Sequence, residues 1–340
     1  MSDFLYPTNP ELKAVEPDLL AALTLNDPIF SHIPIVNSPA SDLVWETMDN
    51  MTGLQGVRGL DGDPTRVKAI GAKRYSMQPG VYGEFATIDE MELTKRRPLG
   101  VYSGSVNIGD LIRQKQDQLM NREIMRIRQI AWTLAGSGTF SVLGERGDIV
   151  HTDSFSVQTA SRAVDWDTVA TATPLADFRA IQLLSRGSSC VFDSGAKAYM
   201  NRVTFNKMLA CTNSNDLAGR RVTGLLSVLN LEEINRIFAG EGLPEIVVYD
   251  DGYISDAGVF TPFIATDSVV IFGRRTNGMP LGEYRMTRNA NNPNMEGGSY
   301  IYVVDSATTE NPVPRKLSVH RGHNGGPVIF FPKGVVVLSV

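Results

Sequence analysis

The stretch "GLDGDPTRVK", Gly59 to Lys68, decides between two folds. Asp61-Gly62-Asp63-Pro64-Thr65 spells D-x-D-x-T, a loop in which one class of phosphotransferase places a nucleophilic aspartate and its acid/base partner. Further on, "EIVVYDDGYISD" ends a strand-like run in Asp250 and Asp251, where such an enzyme would hold magnesium. The same residues also read as turns, because Gly, Asp and Pro supply the dihedrals and local hydrogen bonds that turns need. The flanks discriminate. The enzyme loop must follow a buried parallel strand, and "LQGVRGL", Leu54 to Leu60, carries two glycines and an arginine, which makes a poor one.

Working outward, Tyr75, Met77, Pro79, Val81, Gly83, Phe85 and Thr87 occupy every second position, with Ser76, Gln78 and Glu84 between them. That is the period of a half-buried strand. Leu43 to Ile88 therefore reads as a strand–turn–strand hairpin with the paired aspartates at its tip. A lone hairpin of this length is marginal in water unless something covers it. A magnesium-dependent phosphatase of the haloacid-dehalogenase type, using Asp61 and Asp63, is the alternative. An EF-hand from Asp61 is excluded, because its twelfth position is Ala72 and supplies no carboxylate.

Before the hairpin, Pro7, Pro10, Pro17, Pro28 and Pro34 precede Pro39. Residues 1–42 read as an extended arm, since proline breaks helices and ladders. After it comes a helix. Asn107 is a plausible N-cap and Gly136 a plausible end. Ile108, Leu111, Ile112, Leu119, Ile127, Ile130, Ala131 and Leu134 recur at helical spacing, so the helix should run about 42 Å. Arg113, Lys115, Arg122, Arg126 and Arg128 decorate the remainder, either solvated or touching neighbouring chains. "TFSVLGERGDIVHTDSFSV" predicts a hairpin, Pro174 opens a helix, and Ser194 is expected to cap another over about 195–210. "NLEEINRIF" is a short helix, "EIVVYD" and "SVVIFG" are strands, and "PVIFFPKGVVVLSV" reads as one final strand.

The 340 residues carry a net charge of −5, which marks no general nucleic-acid binder. Cys190 and Cys211, without C-x-x-C spacing, read as free thiols in a reducing compartment. No signal peptide is visible and the most apolar tail is too short and broken to span a bilayer, so a soluble protein made in a cytoplasm is expected. His320-x-x-His323 lacks a third metal ligand at useful spacing. No nucleophile elbow, phosphate-binding loop or dinucleotide fingerprint occurs, so neither an enzyme nor a cofactor is expected.

"SSCVFDSGAKAYMNRVTFNKML" and "EIVVYDDGYISDAGVFTPFIATDSVVIFGRRTNG" resemble lambda-type major capsid proteins of tailed bacteriophages. The order of parts (arm, hairpin, long helix, second subdomain, returning strand) is similar too. The resemblance implies an α+β, Hong Kong 97-type fold. Its arm would be residues 1–42, its extended loop 43–88, its peripheral domain 89–187 with 319–340, and its axial domain 188–318. It implies self-assembly into hexamers and pentamers of an icosahedral head around double-stranded DNA, weakly and non-specifically touched. The short stretch before the hairpin implies a separate scaffolding protein; a portal and a decoration protein are further implied partners, and no membrane is involved. The inter-subunit residues would be Arg58, Asp61, Asp63, Arg66, Lys68, Lys73 and Arg74 on the loop, and Arg113, Lys115, Arg122 and Arg126 on the spine helix. Lys68 and Lys73 are candidate crosslink donors. An encapsulin-like cargo shell of the same fold is a further alternative.

Overall fold

The computed structural model describes residues 27–48, 54–64, 72–95, 108–144, 148–212, 230–255, 257–275, 278–292, 295–306 and 316–340. The chain opens with α1 (Ile29–His32), β1 (Ile35–Asn37), β2 (Leu43–Met48), β3 (Ala72–Met77), β4 (Gly80–Ile88) and α2 (Glu90–Lys95). The long α3 (Ile108–Ser137) leads into β5 (Thr139–Leu143), β6 (Ile149–Ser154) and β7 (Gln158–Ser161). Then come α4 (Pro174–Leu184), β8 (Cys190–Val191), β9 (Lys197–Met200), α5 (Arg202–Ala210) and α6 (Leu231–Gly240). The rest is β10 (Glu245–Val248), β11 (Gly252–Ile254), β12 (Phe260–Pro262), β13 (Ser268–Phe272), β14 (Arg274–Arg275), β15 (Gly282–Thr287), β16 (Tyr300–Asp305), β17 (Leu317–Ile329) and β18 (Val335–Ser339).

Two five-stranded sheets carry the fold. The first runs β1-β15-β17-β16, with β4 on the other side of β17. The second runs β10-β9-β13-β18-β7. Helix α3 ties them together. Its N-terminal half lays Leu111, Ile112 and Leu119 on Ile88, Leu317 and Val319 of the first sheet. From Met120 onward it inserts Met120, Ile124, Ile127, Ala131 and Trp132 between Tyr284 and Met286 of that sheet and Tyr199, Phe272 and Val335 of the second. The opposite face of the second sheet packs Ala198, Met200, Val269, Ile271, Val336 and Leu338 against Phe178 of α4, Phe205 of α5 and Phe238 of α6. The second sheet is thus covered on both faces, which is why "SVVIF" and "VVVLS" are continuously apolar rather than alternating.

The expected helix of 28 residues is 30 long, and it ends where Gly138, at φ +68°, donates its N–H to Leu134 O at 2.8 Å. The box at Asn230 and Glu233 starts α6 as local sequence dictates, each side chain accepting from the other's backbone N–H. Several expectations need correction. Residues 75–87 are not one strand: the chain leaves β3 at Gln78-Pro79, and β4 pairs with β17 instead. The expected helix from Gly195 begins only at Arg202, capped by Asn201 rather than Ser194. Lys197–Met200 is strand, because Ala198, Tyr199 and Met200 are fully buried between β10 and β13. The final strand is two, in different sheets, separated by the 3-10 turn Pro332–Gly334.

The pairings also cross the expected domain boundary. β15 and β16 lie within 188–318 yet join β17, whereas β18 lies within 319–340 yet joins β13. Of the N-terminal arm, residues 1–26 lie outside the described residues. Residues 29–37 dock on their own chain: Ile29 and Ile33 are buried beside α3, and β1 pairs in parallel with β15. Among the described residues no helix is long and apolar enough to cross a membrane.

Candidate assembly surfaces

The hairpin is rooted by alternate residues. Leu43, Trp45 and Met77 are buried against Leu134, Phe140 and Val328. Trp45 stacks on Tyr75 at 5.4 Å between ring centroids and on Phe155 at 5.7 Å. Residues 54–64 are exposed throughout, including Leu54, Val57 and Leu60. Arg58, Asp61 and Asp63 lie in this segment, where Gly62 N donates to Gly59 O at 3.1 Å in a turn. Leu54–Leu60 is neither strand nor buried, so the expectation for a phosphatase loop is overturned at its first requirement. Lys73 and Arg74 are exposed on β3; Arg66 and Lys68 lie outside the described residues.

On α3 the basic residues divide. Arg113 is exposed and Arg126 donates to Gln129 Oε1 at 2.8 Å on the same helix. Lys115 pairs with Glu92 at 3.4 Å. Arg122 clasps Glu84 of β4 with Nε at 2.5 Å and Nη2 at 2.8 Å, a fork that holds the Glu84 carboxyl below its ordinary pKa. Lys115 and Arg122 therefore tether the helix to its own chain. Arg128, expected among the surface decoration, is half-buried and bonds Asp27, Tyr249 OH and Asp251 at once. Burial alone would lower its pKa; the hydrogen bond to Asp251 and the nearby Asp27 more than offset this. That node pins the N-terminal segment, the helix and the second sheet together. Asp250 accepts from Arg202 N at 2.5 Å at the start of α5. Both members of the Asp250–Asp251 pair are thus structural, and no magnesium site is built from them.

One buried group of charges escaped sequence reading. Glu123, on the core face of α3, accepts from Arg321 Nε at 2.5 Å and from Ser299 Oγ at 2.7 Å. His323 Nδ1 lies 2.7 Å from Glu123 Oε1, the oxygen that Ser299 also meets, while Arg321 holds Oε2, and His323 Nε2 meets Tyr284 OH at 2.9 Å. Burial would raise the Glu123 pKa, but His323, Arg321 and Ser299 hold it down at about 2. The only available signal was an acid interrupting an apolar stripe between Met120 and Ile124. His320 and His323, three residues apart on β17, point to opposite faces, so they cannot share a metal. Among the described residues no cluster of three His, Cys, Asp or Glu could hold one. Both cysteines are buried thiols outside any disulfide.

Among curated proteins none matches this chain. Solved structures do. A protein of an E. coli CFT073 prophage, described as its capsid protein, superposes with a TM-score of 0.58 at 14% identity, covering 95% of this chain and 98% of that one. A phage-related protein of Bordetella bronchiseptica RB50 gives 0.55 at 9% identity, covering 95% and 96%. The capsid of Myoviridae phage XM1 gives 0.52 at 12%, covering 92% and 90%. At such identities the likeness establishes the fold, which is the α+β, Hong Kong 97-type capsid fold. The model of the family described as phage major capsid protein E matches residues 45–320. It takes in nearly all of the hairpin, the spine helix and every strand from β3 to β16, and it supports neither the phosphatase nor the cargo shell. The chain belongs to the phage major capsid protein E family and is a structural, capsid-forming subunit.

Proposed function

We propose that this chain is the repeated subunit of an icosahedral phage head, arranged in hexamers and pentamers around double-stranded DNA and assembled in the cytoplasm of a bacterial host. Its partners are other copies of itself, a separate scaffolding protein, a portal and a decoration protein. DNA contact is weak and non-specific, in keeping with the net charge of −5. Arg58, Asp61, Asp63, Arg66, Lys68, Lys73 and Arg74 act between subunits, and the same holds for Arg113 and Arg126 on the spine helix. In this reading the second sheet and its helices form the axial part, and the first sheet with α3 forms the peripheral part.

One observation carries the proposal: a hairpin rooted by buried Leu43, Trp45 and Met77 projects Leu54, Val57 and Leu60 wholly into solvent. Exposed apolar side chains on a projecting segment cost solubility in a monomer and mark an interface. Deleting Leu54–Ala72 should leave a folded subunit that forms no particles. Particles of normal size in negative-stain images of the deletion variant would refute the assignment.

A further inference from the structure

A cleft of about 480 Å³ lies at the root of the hairpin. That falls within the roughly 300–1,000 Å³ of ordinary small-molecule sites. Its two sides come from different parts of the chain. Thr47 and Lys73 belong to the hairpin side, whereas residues 153–156, 187–189 and 329–333 belong to the body. Five aromatic rings line it: Trp45, Tyr75, Phe155, Phe330 and Phe331, with Trp45 stacked on both Tyr75 and Phe155. Ser154, Ser156, Ser188 and Ser189 add hydroxyls. The charges are out of balance. Lys73 and Lys333 both line the cleft, and among the described residues neither has an ion-pair partner. Arg275 stacks on one of the lining rings, its guanidinium 3.6 Å from the centre of Phe331. Its Nε and Nη1 are buried without a hydrogen-bond partner among the described residues. Against these cations the described lining sets one acid, Asp153, which faces His151 Nε2 at 3.0 Å.

We propose that this cleft binds a small aromatic anion, its rings against the aromatic lining and its charge held by Lys73 and Lys333. A flat apolar body gains most from contact with such rings. Three cations against one acid favour a negative charge on it, and apolar walls screen that charge less than open solvent does. A cation would meet like charge, and a neutral ligand would leave both lysines unused. The volume suits a molecule of a few rings rather than a folded partner. Because the two sides of the cleft belong to the hairpin and to the body, a bound molecule ties one to the other. It stabilises the seated hairpin by mass action, since only the seated form offers both sides. The proposal concerns the unassembled subunit and stands apart from the capsid reading.

The probe is anilinonaphthalene sulfonate, an aromatic anion that fluoresces when it leaves water, titrated into unassembled wild-type subunits at neutral pH. The expected result is saturable binding of one molecule per chain. Lys73→Gln with Lys333→Gln should weaken it about tenfold, the loss of two partly exposed charge contacts, while neutral phenylnaphthylamine binds both proteins alike. Ser156→Trp replaces an exposed side chain of the lining with one that fills the cleft, and should abolish saturable binding of both dyes. With the anion bound, amide hydrogen exchange should slow in β2 and β3. No saturable binding by the wild type would overturn the proposal, whether another part of the chain fills the cleft or the anion does not fit. Equal affinity of the wild type and the double glutamine variant would overturn it too. So would binding undiminished by Ser156→Trp, which would place the dye elsewhere, such as on exposed Leu54, Val57 and Leu60. Binding that leaves exchange in β2 and β3 unchanged would remove the tie between hairpin and body. Circular dichroism checks that each variant folds; if Ser156→Trp does not, the glutamine variant, which alters only exposed side chains, decides alone.

Discussion

Replacing Glu123 by Gln should cost the subunit about 3 kcal/mol at neutral pH. Two independent arguments reach this figure. The Glu123 carboxyl titrates at about 2 in the fold against an ordinary 4.5. At about 1.4 kcal/mol per tenfold change in proton affinity, that gap stabilises the native state by ~3 kcal/mol once the group is ionised. Separately, removing one partner of a buried ion pair typically costs about 3–5 kcal/mol, because the surviving charge, here Arg321, stays desolvated. The pH dependence is the sharper signature. A carboxylate favoured in the fold stabilises fully above its unfolded pKa, and that contribution is lost as pH falls through 4.5 toward 2. The wild-type advantage over Glu123→Gln should therefore hold at pH 7 and largely vanish near pH 2.5. Urea unfolding of unassembled subunits, followed by tryptophan fluorescence, reads both. A loss under 1 kcal/mol at pH 7, or a difference that does not shrink with acid, would show that the network is not the clamp described.

His32 offers a separate acid window. Burial, then Lys197, holds its pKa at about 4, so it is neutral in the fold and must charge on unfolding. Stability should fall as pH drops from about 6.5 to about 4, and His32→Phe should flatten that slope while losing the Tyr199 contact, about 1 kcal/mol, in urea titrations at pH 7. Arg128→Met removes three partners from one node and leaves Asp27 buried; hydrogen exchange should quicken in residues 29–37 well before the core of α3 loosens. Gly322→Ala would put a Cβ 2.3 Å from Tyr82 O and 2.7 Å from the Gly83 Cα, both backbone, so a loss of several kcal/mol and a clearly lower melting temperature are expected.

Much of the fold was legible because it is local. The spine helix announced itself through Leu111, Ile112, Leu119, Ile127 and Leu134 at helical spacing, all of which are buried. The helix at Leu231 began where Asn230 and Glu233 could cap it. The turn at Asp61-Gly62-Asp63 and the strand character of "SVVIF" depend only on neighbours in the chain. Reading Lys197–Met200 as helix failed because those residues have good helical character, and two flanking strands decided otherwise.

What the amino-acid order settled alone is the spine helix, the capped helix at Leu231, the turn at Asp61 and the apolar strands, since these follow from periodicity and backbone sterics over a few residues. What only the tertiary structure decided is partnership. β4 left β3 for β17, the last strands parted at Pro332 into two sheets, and Glu123 met Arg321 across 198 positions of chain. Such pairings depend on which distant surfaces are brought together and kept from water, and no short window of sequence contains both halves.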